Sequence, residues 1–406
     1  MTRDQIPSAG RRLSRRHLLL GGAAAGIGAV GAVGIDLATK SSPPAVADPL
    51  NGAQTVPFYG AHQAGVDTVP QSNASLIALD LNAETDAASL ARFMKILTSD
   101  AARLSQGEAA LADSEPELAV APARLTVTFG FGPGLVARAG GTAPTWLRPL
   151  PAFGVDQLEP AWGDGDLLLQ VAADDALIVA HATRMLLKDS RSFATVRWVQ
   201  TGFRRAPGSV KPGTTMRNLF GQVDGTVNFA PGTPDFERLV WGQAENPAWL
   251  HGGTGFVLRR IAMNLDKWDK LDRGGREASV GRTLSNGAPL TGHNETDDPD
   301  FDAKTPMGFP VIPEFSHLRR ARSENPDERI LRRGYNYDDA PTGARVSNSG
   351  LLFVSFQADV DAQFVPIQRR LDELDLLNEW ITPIGSAVFA IPPGCAEGGY
   401  IGDTLF

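Results

Sequence analysis

The chain alternates between short apolar runs and longer stretches in which apolar residues recur every three or four positions. Ser75-Leu76-Ile77-Ala78-Leu79-Asp80-Leu81 is an apolar run of strand length, and Asp86 to Ala102 follows with Leu90, Phe93, Ile96 and Leu97 at helical spacing. Further strands are predicted at Leu125–Gly130, Leu167–Val171 and Ala194–Val199. A helix is predicted from Asp174 to Leu187, with Asp174 as its N-cap. The second half repeats this grammar. Phe256–Met263 reads as a strand leading to a short helix around Trp268, and Gly350–Gln357 as a strand followed by a helix, Asp361 to Leu374. This order predicts an α+β fold of two units of the split βαβ kind. The boundary falls near 205–216, in the segments Arg205-Ala206-Pro207-Gly208 and Lys211-Pro212-Gly213. Residues 283–313 are a long insertion rich in Pro, Gly and Asp, of the kind that carries function or lacks order.

The first 47 residues stand apart. Arg11-Arg12-Leu13-Ser14-Arg15-Arg16 precedes a Gly- and Ala-rich apolar run, Leu18 to Val33, and Ala45-Val46-Ala47 has the small-x-small form of a cleavage site. The run is too weakly apolar for a membrane span. Ser14-Arg15-Arg16-His17-Leu18-Leu19 resembles the twin-arginine export motif, a route for proteins that fold before export. The expected organisation is therefore an export signal at 1–47, one domain with an extended arm at 48–215 and a second at 216–406.

The signal holds six of the 38 Lys and Arg and two of the 46 Asp and Glu. That leaves 32 cations against 44 anions in the remainder, a net −12. Such a charge argues against a nucleic-acid partner. One cysteine, Cys395, excludes an internal disulfide and a CxxC metal site. It is an axial thiolate or, as is usual for a lone Cys, a buried small residue.

Three clusters in the second half carry candidate chemistry. Gly221-Gln222-Val223-Asp224-Gly225-Thr226 places one carboxylate between glycines, which suits either a turn or close approach to a flat ligand. His317 is one of only five histidines after the signal, and no HxH or HxxxH pair exists. A multi-histidine metal site is disfavoured, but a haem iron needs only one protein ligand. Ile330-Leu331-Arg332-Arg333-Gly334-Tyr335-Asn336-Tyr337 sets two arginines among apolar residues. At least one of them turns inward and needs an anionic partner, or the segment is a basic strand edge.

Together these clusters resemble the dye-decolourising peroxidases, and within them the A-type branch that includes exported deferrochelatase/peroxidase proteins. The resemblance also takes in Pro57-Phe58-Tyr59-Gly60-Ala61-His62-Gln63-Ala64-Gly65, Gly281-Arg282 with Gly287-Ala288-Pro289-Leu290, and Leu351–Gln357, so it spans most of the chain. It implies paired ferredoxin-like domains of the dimeric α/β-barrel type, with haem b held mainly by the second. It further implies His317 as the proximal iron ligand, Asp224 and Arg332 on the distal side, and Gly225, Thr226 and Val227 along the haem. Arg282 and Arg322 would reach haem propionates. Asp359 would accept a hydrogen bond from His317, with Asp361 as its competitor. The expected partners are hydrogen peroxide, a small reducing substrate such as a phenol or dye, and the twin-arginine machinery, with homo-oligomerisation left open. Bulky reductants are expected to be oxidised at the surface, through Tyr335, Tyr337, Trp268 or Trp380. The rival reading is a haem-binding or deferrochelatase role in iron acquisition outside the cytoplasm.

Overall fold

The computed structural model describes residues 50–242 and 245–406. The expected export signal lies outside them. In chain order the elements are β1 (Asn73–Leu81), α1 (Ala87–Ser105), β2 (Thr126–Phe131), α2 (Pro133–Arg138), β3 (Leu167–Ala173), α3 (Ala176–Ser190) and β4 (Ala194–Phe203). There follow α4 (Pro234–Val240), β5 (Thr254–Met263), α5 (Leu265–Trp268), α6 (Arg273–Val280), α7 (His317–Ala321), β6 (Leu331–Arg332) and β7 (Tyr335–Asp339). The last are β8 (Asn348–Gln357), α8 (Val365–Leu374) and β9 (Ile381–Ile391). Among the described residues no helix is long and apolar enough to cross a membrane.

Local chemistry sets the ends of these elements. Asp86 accepts the Ser89 amide at 2.7 Å and starts α1. The cap of α3 is Asp175, which accepts the Leu177 amide, and not Asp174 as the sequence suggested. Asp174 instead takes the Ser72 amide at 3.1 Å and pins the chain leading into β1. The expected insertion is not unstructured. Short bridges Arg282–Pro289 and Lys304–Pro310 fold it back on itself.

All pairings between these strands are antiparallel. The first half contributes the run β4–β1–β3–β2 and the second contributes β9–β5–β8, with β6 and β7 along the far edge of β8. The two runs join at Phe131–Ala390 and at Phe203–Asn336, so the sheet closes into a barrel. The side chains alternate accordingly. Leu76, Ala78, Leu168, Phe256, Leu258, Leu352, Val354, Phe356 and Phe389 form one buried cluster. The opposite face of β1–β3 packs Ile77, Leu79, Phe129 and Leu169 against Leu90, Phe93 and Leu97 of α1 and Ile178 and Met185 of α3. A third cluster, Phe220, Met263, Trp268, Val280, Leu351, Leu377 and Trp380, covers the outer face of β5 and β8. The candidate chemistry gathers on that third side.

Candidate functional site

Asp224 lies on the segment between β4 and α4. The Arg217–Val223 bridge and the bond from the Asp224 amide to the Met216 carbonyl fold this segment into a tight loop. Gly221 (φ 81°) and Gly225 (φ 123°) flank the carboxylate in conformations that glycine tolerates. Thr226 and Val227 continue from it, and Val227 is exposed. Arg332 Nη1 donates to Asp224 Oδ1 at 2.9 Å, and Asn218 Nδ2 lies 3.4 Å from Oδ2.

Strand alternation separates the two motif arginines. Arg332 faces Asp224. Arg333 turns the other way into the protein, where its guanidinium donates to Gln71 Oε1 and the Thr68 carbonyl of the N-terminal arm.

His317 opens α7. Its Nδ1–H donates to Asp375 Oδ2 at 2.6 Å, while Asp375 Oδ1 accepts the Leu377 amide at 2.9 Å. Nε2 has no hydrogen-bond partner among the described residues, and 32 % of the side-chain surface remains accessible. Burial works against the imidazolium. The charge and hydrogen bond of Asp375 more than offset this and hold His317 above the usual imidazole value, with Arg332 weakly lowering it and Asp224 weakly raising it. His317, Asp224 and Arg332 therefore border one region.

The carboxylate behind the histidine corrects the expectation. Asp359 accepts the Ala362 amide through Oδ1 and caps the π-helical turn Val360–Phe364, while His317 is bonded to Asp375 instead. Asp361 pairs with Arg148 at 2.9 Å. Asp375 sits just past the end of α8, where the chain turns toward α7. A carboxylate set in the apolar run Leu374-Asp375-Leu376-Leu377 was a sequence signal that a buried acid there needed a partner.

Arg282 is buried. Its Nη1 donates to the Gly287 and Glu295 carbonyls, and among the described residues no carboxylate lies within ion-pair distance. Burial first, then the charges of Arg332 and Arg322, lower its pKa, while Glu295 raises it. Three guanidiniums thus act on one region, and among the described residues Arg322 and Arg332 have carboxylate partners, Asp298 and Asp224, while Arg282 has none. The set fits a haem: one free imidazole nitrogen for the iron, and an excess of cation for two propionates. Cys395 is buried in the apolar cluster beneath α1, where burial pushes its thiol up to about 11, as expected of a small core residue. Tyr335, Tyr337, Trp268 and Trp380 are all buried in the core clusters, so any electron route through them to a bulky reductant runs through the interior.

Residues 63–204 and 215–396 match the descriptions "Dyp-type peroxidase, N-terminal" and "Dyp-type peroxidase, C-terminal". One imidazole facing an acid–arginine pair belongs to the haem peroxidases as a class. The chain is a member of the Dyp-type peroxidase family, and so a haem-dependent peroxidase. It is similar to a dye-decolorizing peroxidase of Thermobifida fusca, at 39 % identity over 417 residues and 97 % of each chain. A deferrochelatase of Escherichia coli O157:H7 is 34 % identical over 422 residues, covering 97 % of this chain and 96 % of that one. The crystal structure of a DyP-type peroxidase from Cellulomonas bogoriensis superposes with a TM-score of 0.85 at 56 % identity, over 87 % of this chain and 99 % of the other. The shared fold is mixed helix and sheet around a closed antiparallel barrel.

Proposed function

We propose that the protein reduces hydrogen peroxide with Asp224 and Arg332 as its distal pair, and oxidises a phenol- or dye-like reductant in return. The observation that carries this is the 2.9 Å Arg332–Asp224 contact within electrostatic reach of His317. His317 would hold the iron through Nε2. Gly225, Thr226 and Val227 would lie along the porphyrin, and Arg282 and Arg322 would meet its propionates. When bound, haem b supplies the electrons that the O–O bond takes up on cleavage. Asp224 takes a proton from one peroxide oxygen and delivers it to the other, so that water can leave. Arg332 stays charged and stabilises the negative charge that develops on the departing oxygen. Asp375 fixes the Nδ1–H tautomer of His317, keeps the Nε2 lone pair available and makes the imidazole more electron-donating.

The strand orders β4–β1–β3–β2 and β9–β5–β8–β7 support reading the halves as two ferredoxin-like units. The Arg15-Arg16 segment supports export in folded form, to a periplasmic or extracellular site. A second reading, removal of iron from haem, draws on the deferrochelatase relatives. Purified protein is expected to show a ferric haem Soret band and to turn over a dye with peroxide. Accumulation of iron-free porphyrin under anaerobic conditions, with negligible peroxide turnover, would favour the second reading instead.

A further inference from the structure

We propose that Asn228 is the positioning residue of the distal pair, and that its carboxamide takes the place of a neighbouring strand beside Arg332 so that Asp224 and Arg332 move as one unit. The proposal rests on the peroxidase roles given to Asp224 and Arg332 above.

The argument starts from the β6–β8 pairing. Arg332 lies opposite Ser355, and the Arg333 amide donates to the Val354 carbonyl at 2.8 Å. In an antiparallel ladder these positions alternate, so with the 333 amide bonded to the 354 carbonyl the N–H and C=O of Arg332 point away from β8. Among the described residues no further strand lies there. Asn228 fills that edge. Its Nδ2 donates to the Arg332 carbonyl at 2.6 Å, and its Oδ1 accepts the Arg332 amide at 2.9 Å. A primary amide carries a donor and an acceptor side by side, as a peptide group does, so one side chain satisfies both backbone groups. The Asn228 amide itself donates to the Gly225 carbonyl at 3.1 Å, closing the turn directly behind Asp224. The contact spans 104 residues of sequence and joins the loop that carries the carboxylate to the strand that carries the guanidinium. The 2.9 Å Asp224–Arg332 separation is therefore held at the backbone level as well as by the side chains.

The test uses the full-length haem-loaded protein as wild type, N228A, R332L and N228A/R332L. Two quantities are read: the rate of the stopped-flow absorbance change with excess peroxide, and the affinity of ferric haem for fluoride, an equilibrium probe of distal hydrogen bonding. N228A is expected to keep its haem yet lose up to about 100-fold in rate, since a misplacement near 1 Å costs that much. Its fluoride affinity should fall in parallel. In the R332L background the same change should alter both readouts by no more than about twofold, because the residues then act through one element. Asn228→Ser, too short to span both backbone groups, replaces N228A should that variant not fold. A wild-type rate in N228A with R332L impaired overturns the clamp alone, as does an equal loss in both backgrounds. An unimpaired R332L overturns the assignment of Arg332 and the clamp with it.

Discussion

Asp375 Oδ2 stands 2.6 Å from His317 Nδ1, although 58 residues separate the two in sequence. The second oxygen of Asp375 is bound to the Leu377 amide, so the carboxylate cannot rotate away without losing both partners. His317 is thereby fixed in tautomer and in ring orientation. Asp375→Ala should lower haem affinity or turnover about 10- to 100-fold, the usual cost of losing an outer partner of a metal-ligating histidine. Titration of the haem-free protein with haem, followed by absorbance, measures it. Asp359→Asn and Asp361→Asn should leave haem affinity at the wild-type level. A loss in Asp359→Asn equal to that in Asp375→Ala would return the role to the cap residue.

The distal pair should respond unequally to substitution. Arg332→Leu removes a fixed cation from the developing charge and is expected to cost about 100- to 1,000-fold in rate at every pH. Asp224→Asn removes the proton carrier, for which losses span roughly 100- to 10,000-fold. Its defect should be largest in acid and shrink as pH rises and more peroxide ionises. Rates measured across pH for both variants decide the matter. Parallel profiles would mean that Asp224 does not act as the proton carrier.

Haem retention should depend on Arg282 more than on Arg322. Arg282 is buried with carbonyl partners only, whereas Arg322 is exposed and already paired with Asp298. A buried charge-assisted hydrogen bond contributes about 1.5–3 kcal/mol, so Arg282→Ala should weaken haem binding roughly 10- to 100-fold. The dissociation constants of the two variants, compared side by side, are the measurement. A weaker effect at Arg282 than at Arg322 would place the propionates elsewhere.

A buried acid pair away from the site gives the protein a pH-dependent stability. Asp189 of α3 is pushed up to about 7, chiefly by burial and then by the charge of Asp100 on α1, with Lys188 partly opposing this. Its Oδ2 is buried with no donor hydrogen bonded to it. The folded-state value is raised above the unfolded one, so the folded chain holds this proton over a range where the unfolded chain has lost it. The stabilisation is complete below about pH 4 and is lost as pH rises to about 7. Asp189→Asn should therefore raise the thermal midpoint at pH 8 and flatten its fall between pH 4 and pH 7. An unchanged slope in calorimetry would show that the pair does not share a proton.

Much of this arrangement was legible in the sequence because it rests on local rules. The apolar runs at 75–81, 167–171, 256–263 and 350–357 correspond to β1, β3, β5 and β8, and the spacing of Leu90, Phe93 and Leu97 gave the buried face of α1, whereas Ile96 in the same pattern is exposed. Asp224, His317 and Arg332 stood out by chemistry and converge in space. What was hidden depends on tertiary contacts. Side-chain direction past a helix end decided between Asp359 and Asp375, and sequence spacing carries no record of it. β6 has only two residues, and β9 carries Pro383 and Gly385 in its first half, which hides where the strand leading to Ala387–Ile391 begins. The bond between Asn228 and Arg332 joins a loop to a strand edge, and only folding brings them together.

Ring closure also decides where the polypeptide can be cut. Every residue proposed here to touch haem lies after residue 216, which makes the second half look like a minimal haem-binding module. Expressed alone, residues 216–406 would leave β7 and β9 without their neighbours β4 and β2. Two open edges at the ends of an apolar sheet invite pairing with other copies. A truncated protein of that kind is expected to assemble into aggregates before it can capture a porphyrin. The two halves would have to be produced together, as complementing fragments, for either to be of use.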